Sequence, residues 1–148
     1  APFNDFLGRD IVAGSGVSFA EFCEFLLSID VSRCDIHYRQ QAHLLETRGL
    51  IDVDHVVHLE SLEQELDPLV GKYHLKPVSV GELSASHHNT RRSRSHGFVG
   101  DQPFQRTAED VYPDYHQFYN EELAAMVRTI YAEDFHRYGY SGALPGAE

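Results

Sequence analysis

The 148-residue chain has only two cysteines, Cys23 and Cys34, which excludes a scaffold built on disulfides. A single bridge between them and two buried free thiols both stay open. No run of about 18 apolar residues occurs, so no transmembrane helix is expected in this chain, and no signal-peptide pattern is present. Basic residues are scarce: 12 Lys+Arg stand against 23 Asp+Glu, for a formal net charge of −11. The average field of such a surface repels a long polyanion, which excludes nucleic acid and anionic membrane as general partners; any anion must be held locally. What the chain does have is 42% hydrophobic and 11% aromatic residues, the balance of a folded protein. Its length suits one domain with a real core, and no repeat or low-complexity linker divides it, so residues 1–148 read as a single domain.

The few basic residues are unevenly placed. Arg91, Arg92 and Arg94 fall within four positions, in a run from Ser84 to Gly97 that also holds His87, His88 and His96. The run has no apolar periodicity and reads as a loop. Guanidinium forks, an amide and hydroxyls are what a phosphate or sulfate ester needs, although the same composition also suits a solvated surface loop.

Local patterns organise the rest. Residues 1–17 read as an irregular lead-in. Ser18 and Glu21 form a capping box ahead of a helix whose Phe19, Phe22, Cys23 and Leu26 share one face, with Ile29 closing it. A short helix is expected over Gln41 to Thr47, stopped by Gly49. Val53 to Glu60 is the best strand candidate, β-branched and buried on both sides. Ser61 and Gln64 form a second capping box before a stripe of Leu62, Leu66, Leu69, Val70 and Tyr73, which Pro68 should kink or split. Asn120 caps the last helix, Glu121 and Glu122 complement its dipole, and Leu123, Met126, Val127, Ile130 and Tyr131 make its buried face.

Several of these pieces, in order, resemble the carbohydrate sulfotransferase family, the Golgi-type family 2. Its members use 3′-phosphoadenosine 5′-phosphosulfate (PAPS) as sulfo donor. Asp35-Ile36-His37-Tyr38-Arg39-Gln40-Gln41 resembles the segment D-x-H-W-R-P-Q, with Tyr38 for Trp and Gln40 for Pro. Asp54 to Glu65 resembles D-x-I-x-x-F-E-x-L-E-x-D, a strand running into a helix. His88-Asn89-Thr90 is similar to H-x-N-x-S/T, with one residue fewer between His and Asn and none between Asn and Thr. The tail through Glu121-Glu122-Leu123, Val127, Tyr131, Asp134-Phe135 and Gly139-Tyr140 is similar to E-L-x-x-x-V-x-x-x-Y-x-x-D-x-x-x-F-G-Y.

The resemblance implies an α/β, P-loop-like sulfotransferase fold, of which this chain would be the mostly helical C-terminal part with one or few short parallel strands. No glycine-rich turn followed by Lys-Ser or Lys-Thr occurs in it. The N-terminal half carrying the phosphosulfate loop is therefore expected to be missing, and the isolated chain inactive. The implied reaction moves a sulfo group from PAPS to a carbohydrate hydroxyl, with no metal required. Asn89, Thr90, Arg91 and Arg92 suit the nucleotide, and Arg94 suits solvent. His37, Arg39 and Gln41 suit the acceptor sugar, with His37 as the base, since histidine exchanges a proton near neutral pH. Glu60 either orients a basic neighbour on the acceptor side or merely starts the following helix. The aromatic tail, Tyr131 to Tyr140, reads as core and helix-end packing, with sugar stacking as the alternative. Animal relatives are Golgi membrane enzymes and bacterial ones cytoplasmic, so the location stays open.

Ten histidines support a second reading, a metal-binding module. Against it, His55 and His58 would face opposite sides of a strand, and the cysteines lie far from the histidine-bearing loop. A non-catalytic interaction domain that keeps only the family's packing pattern is the third.

Overall fold

A computed structural model describes residues 2–11, 16–77, 91–92, 97–104 and 111–143. They form a mostly helical domain with six α-helices: α1 (Pro2–Leu7), α2 (Phe19–Leu27), α3 (Leu44–Thr47), α4 (Leu62–Tyr73), α5 (Glu121–Ile130) and α6 (Ala132–Tyr138). Two 3-10 turns, Leu59–Ser61 and Tyr115–Phe118, lead into α4 and towards α5. The strand content of the described residues is one parallel two-residue pair, β1 (Arg91–Arg92) beside β2 (Val111–Tyr112), plus an isolated antiparallel bridge between Val17 and Phe104.

The core is the face of α2 laid against α5, and both helices start as their sequences dictate. Ser18 Oγ accepts the Glu21 amide at 3.1 Å, while Glu21 Oε2 accepts the Ser18 amide at 2.9 Å. That reciprocal cap is worth about 1 kcal/mol. The Ser18 amide, and then the Arg9 guanidinium 2.9 Å away, hold the Glu21 carboxyl below its ordinary range. Asn120 Oδ1 accepts the Leu123 amide at 2.8 Å. Cys23, Phe25, Leu26, Leu123 and Ile130 form the buried cluster, with Phe3, Phe19, Phe22, Ile29, Tyr38, Met126, Val127 and Tyr131 among the residues packed around it. Both cysteines are free thiols, and burial pushes Cys23 up to about 11.

Four local expectations are corrected. The lead-in contains α1, because Phe3 and Phe6 at helical spacing both reach the Phe25 ring, at 4.7 and 5.6 Å between centroids. Residues 53–58 are not a buried strand: Val53 and Val56 are more than 40% exposed, and no described strand lies beside them to take their backbone hydrogen bonds. Ser61 makes no capping bond; its hydroxyl goes to the Glu65 carboxylate instead. Finally, Pro68 does not split the helix: α4 runs through it from Leu62 to Tyr73. Pro68 and Gln64 both lie on its exposed face, so the Gln64 carbonyl that loses its partner can turn to water.

Candidate functional site

The segment Asp35–His43 has no regular structure of its own and is held from two sides. Asp35 makes an Asx turn: its Oδ1 accepts the His37 amide at 2.9 Å and lies 2.6 Å from His37 Nδ1. Those two contacts, the amide first, hold the Asp35 carboxyl below its ordinary range. With Nδ1–H given to Asp35, the remaining lone pair sits on Nε2, and the ring is 83% exposed.

From the other side the α5–α6 junction grips the segment. Helical geometry breaks at Tyr131 (φ −109°, ψ 30°), turning its hydroxyl to donate to the Tyr38 carbonyl at 2.8 Å. Burial pushes the Tyr131 phenol up to about 12, so it stays a donor. Three residues on, the buried Asp134 accepts the amides of Gln41 and Ala42, each at 2.8 Å. Tyr138 donates to the Glu46 carboxylate at 3.0 Å.

Between segment and junction lies an open cavity of about 340 Å³. His37, Tyr38, Arg39 and Gln41 line one wall, and Tyr131, Asp134, Phe135 and Tyr140 the other. Three of the sequence-derived candidates, His37, Arg39 and Gln41, thus meet in one place. Arg39 makes no hydrogen bond or ion pair among the described residues, which leaves its guanidinium for a ligand. Gln41 Oε1 lies 3.5 Å from the Tyr140 hydroxyl. Chemically this is a shallow, water-open hollow with a carboxylate-oriented imidazole, a cation, an amide and tyrosine rings.

Glu60 is not part of it. It sits exposed in the 3-10 turn ahead of α4, and its charge bears on His58, a neighbour outside the cavity lining. Asn89 and Thr90, like Arg94 and the loop histidines, lie outside the described residues. Arg91 and Arg92 are described only as backbone, in the parallel pair with Val111 and Tyr112. Among the described residues no three His, Cys, Asp or Glu side chains group as a metal site. Sequence reasoning had Tyr131, Asp134, Phe135 and Tyr140 in the tail motif, the aromatic ones read first as core packing, but did not bring them opposite His37. One signal was present: a carboxylate at the i+3 position between Tyr131 and Phe135, on an otherwise apolar face. A larger hollow of about 470 Å³, lined by Phe19, Phe22, Phe104, Tyr112, Phe118 and Tyr119 among others, is almost wholly apolar and holds none of the candidates.

His58 does something other than face a strand. Its Nε2 lies 2.9 Å from the Tyr138 carbonyl, and its Nδ1 3.2 Å from both Glu65 carboxylate oxygens. Two acceptors for two ring nitrogens fit the doubly protonated imidazolium. The Tyr138 carbonyl, then Glu65, hold its pKa above the ordinary value, with Glu60 adding in the same sense. A raised folded-state pKa gives stability that is full below the unfolded value of about 6.5 and is lost as pH climbs through the folded value. Melting temperature should therefore fall as pH rises from 6 to 8, and His58→Gln should flatten that slope. Parallel slopes for the two proteins would count against the ion pair.

A family model described as the Sulfotransferase family matches residues 9–141, which takes in the Asp35–Gln41 segment, the cavity and the tail through Tyr140. No curated protein and no solved structure matches the chain. With nearly the whole chain under that one model, this protein belongs to the sulfotransferase family, a family of transferases that act on a sulfo group.

Proposed function

We propose that the protein transfers a sulfo group from PAPS to a carbohydrate hydroxyl, and that the His37 cavity is the acceptor side. The observation that carries this reading is the convergence of His37, Arg39 and Gln41 on one open cavity faced with tyrosines. Sugars bind where planar amide and guanidinium donors meet aromatic faces, and a water-open mouth admits a chain end or an internal residue. In the reaction the acceptor O–H gives its proton to His37 Nε2 while its oxygen bonds to sulfur. The sulfur–oxygen bond to the donor phosphate breaks in line, releasing adenosine 3′,5′-bisphosphate. Asp35 keeps the imidazole in the proton-accepting tautomer. PAPS supplies the activated sulfo group; Asn89, Thr90, Arg91 and Arg92 are the residues suited to its phosphates, in the P-loop-like setting that the family resemblance implies.

Transfer is tested on the chain and on a version extended upstream through a phosphosulfate loop, since the chain alone is expected to be inactive. Each is incubated with PAPS and a panel of oligosaccharides, following adenosine 3′,5′-bisphosphate release, and the kinetic comparisons are made in the extended version. Arg39→Ala is expected to raise the acceptor KM about 10-fold with a smaller change in kcat, since it removes a ground-state contact. A paired arm measures adenosine 3′,5′-bisphosphate binding by calorimetry, where Arg91→Ala with Arg92→Ala should weaken binding and Arg39→Ala should not. An Arg39→Ala protein with unaltered acceptor KM would move the acceptor elsewhere.

A further inference from the structure

We infer that Asp134 is a positioning residue of the acceptor side: it touches no substrate itself but fixes the segment that carries His37, Arg39 and Gln41. This rests on the reading of the His37 cavity as the acceptor site. A carboxylate only 4% exposed is held by two consecutive main-chain amides, Gln41 N–H and Ala42 N–H, both at 2.8 Å. No cation lies within ion-pair distance of it among the described residues. Burying an acid this way is costly unless every bond is made, so the side chain is demanding about where the two amides stand. Both of its oxygens are committed, which leaves a single register for the Gln41–Ala42 peptide.

The consequence reaches the chemistry through short paths. Gln41 is at once a cavity residue and the first amide on Asp134, and Arg39 is two residues away. The Tyr131 hydroxyl fixes the Tyr38 carbonyl one turn earlier in the same helical junction. The segment has no helix or strand to stiffen it, so these three bonds, with the Gln40 amide's bond to the Val31 carbonyl at 3.2 Å, define its path.

Asp134→Asn keeps the shape but has one acceptor oxygen in place of two, with its NH₂ turned on an amide donor. Hydrogen exchange at the Gln41 and Ala42 amides should then speed up about 10–100-fold, while the amides of α2 stay protected. In the transfer reaction the acceptor KM should rise about 10-fold, and the KM for PAPS should not move. Tyr131→Phe, a milder change, should do the same to a smaller degree if Asp134→Asn fails to fold. A purely structural role predicts the opposite split: less active protein, hence lower apparent kcat, at unchanged acceptor KM. That split, or unaltered exchange at both amides, overturns the assignment. If the version extended upstream transfers no sulfo group yet the exchange effect appears, the acceptor reading fails and the clamp stands.

Discussion

Replacing His37 by alanine is expected to lower kcat for sulfo transfer by about 10²–10⁴-fold, the span over which a positioned general base acts. Three observations set that size. The ring is open to the cavity, its Nδ1 is committed to Asp35 at 2.6 Å, and Nε2 has no partner among the described residues. A base must reach the acceptor hydroxyl directly, and the exposed imidazole lines the cavity proposed to take that hydroxyl. Asp35→Ala should cost less, because water can still accept the Nδ1 proton; it loses the tautomer preference and the Asx turn but not the base. Acceptor KM in His37→Ala should change little, which distinguishes it from Arg39→Ala. The measurement is steady-state release of adenosine 3′,5′-bisphosphate at saturating acceptor. A loss of less than about 3-fold would place the base elsewhere and reduce His37 to a lining residue.

How much of this was legible beforehand follows from how local each feature is. The caps at Ser18 and Asn120 need residues three apart, and both form as read. The stripes on α2 and α5 need only helical spacing, and they meet as the core. The expected strand over Val53 to Glu60 depended on a neighbour that local pattern cannot supply. Its β-branched side chains are there, but the described residues offer no partner edge and the segment stays solvated. Phe25 lay off the expected stripe because its neighbours belong to α1, a helix the glycine-spaced lead-in concealed. The site divides in the same way. His37, Arg39 and Gln41 share a seven-residue motif and were readable together. Asp134 joins them across sequence separations of 92 and 93, a relation that only the folded chain reveals.

The core carries the second large prediction, because the site leans on it. Phe25 is 4% exposed and meets the rings of Phe3 at 4.7 Å, Phe6 at 5.6 Å and Phe22 at 6.5 Å. Phe25→Ala removes the shared member of that cluster, and the two α1 rings lose the surface they dock on. Large-to-small changes of this kind cost about 3–5 kcal/mol, against a total of about 5–15 for a domain. The denaturant midpoint should fall accordingly, and the melting temperature by roughly 10 °C or more. Function should respond differently from stability. Phe22 stands edge-on to Tyr38 at 5.5 Å and also meets Phe3 of α1 at 5.7 Å, so α2 supports the Asp35–His43 segment through Phe22 and not through Phe25 itself. The protein that remains folded should keep its acceptor KM, while Asp134→Asn raises KM. A Phe25→Ala protein within about 1 kcal/mol of wild type would mean that α1 does not dock on α2. A raised acceptor KM in that variant would mean that the aromatic cluster and the cavity form one cooperative unit.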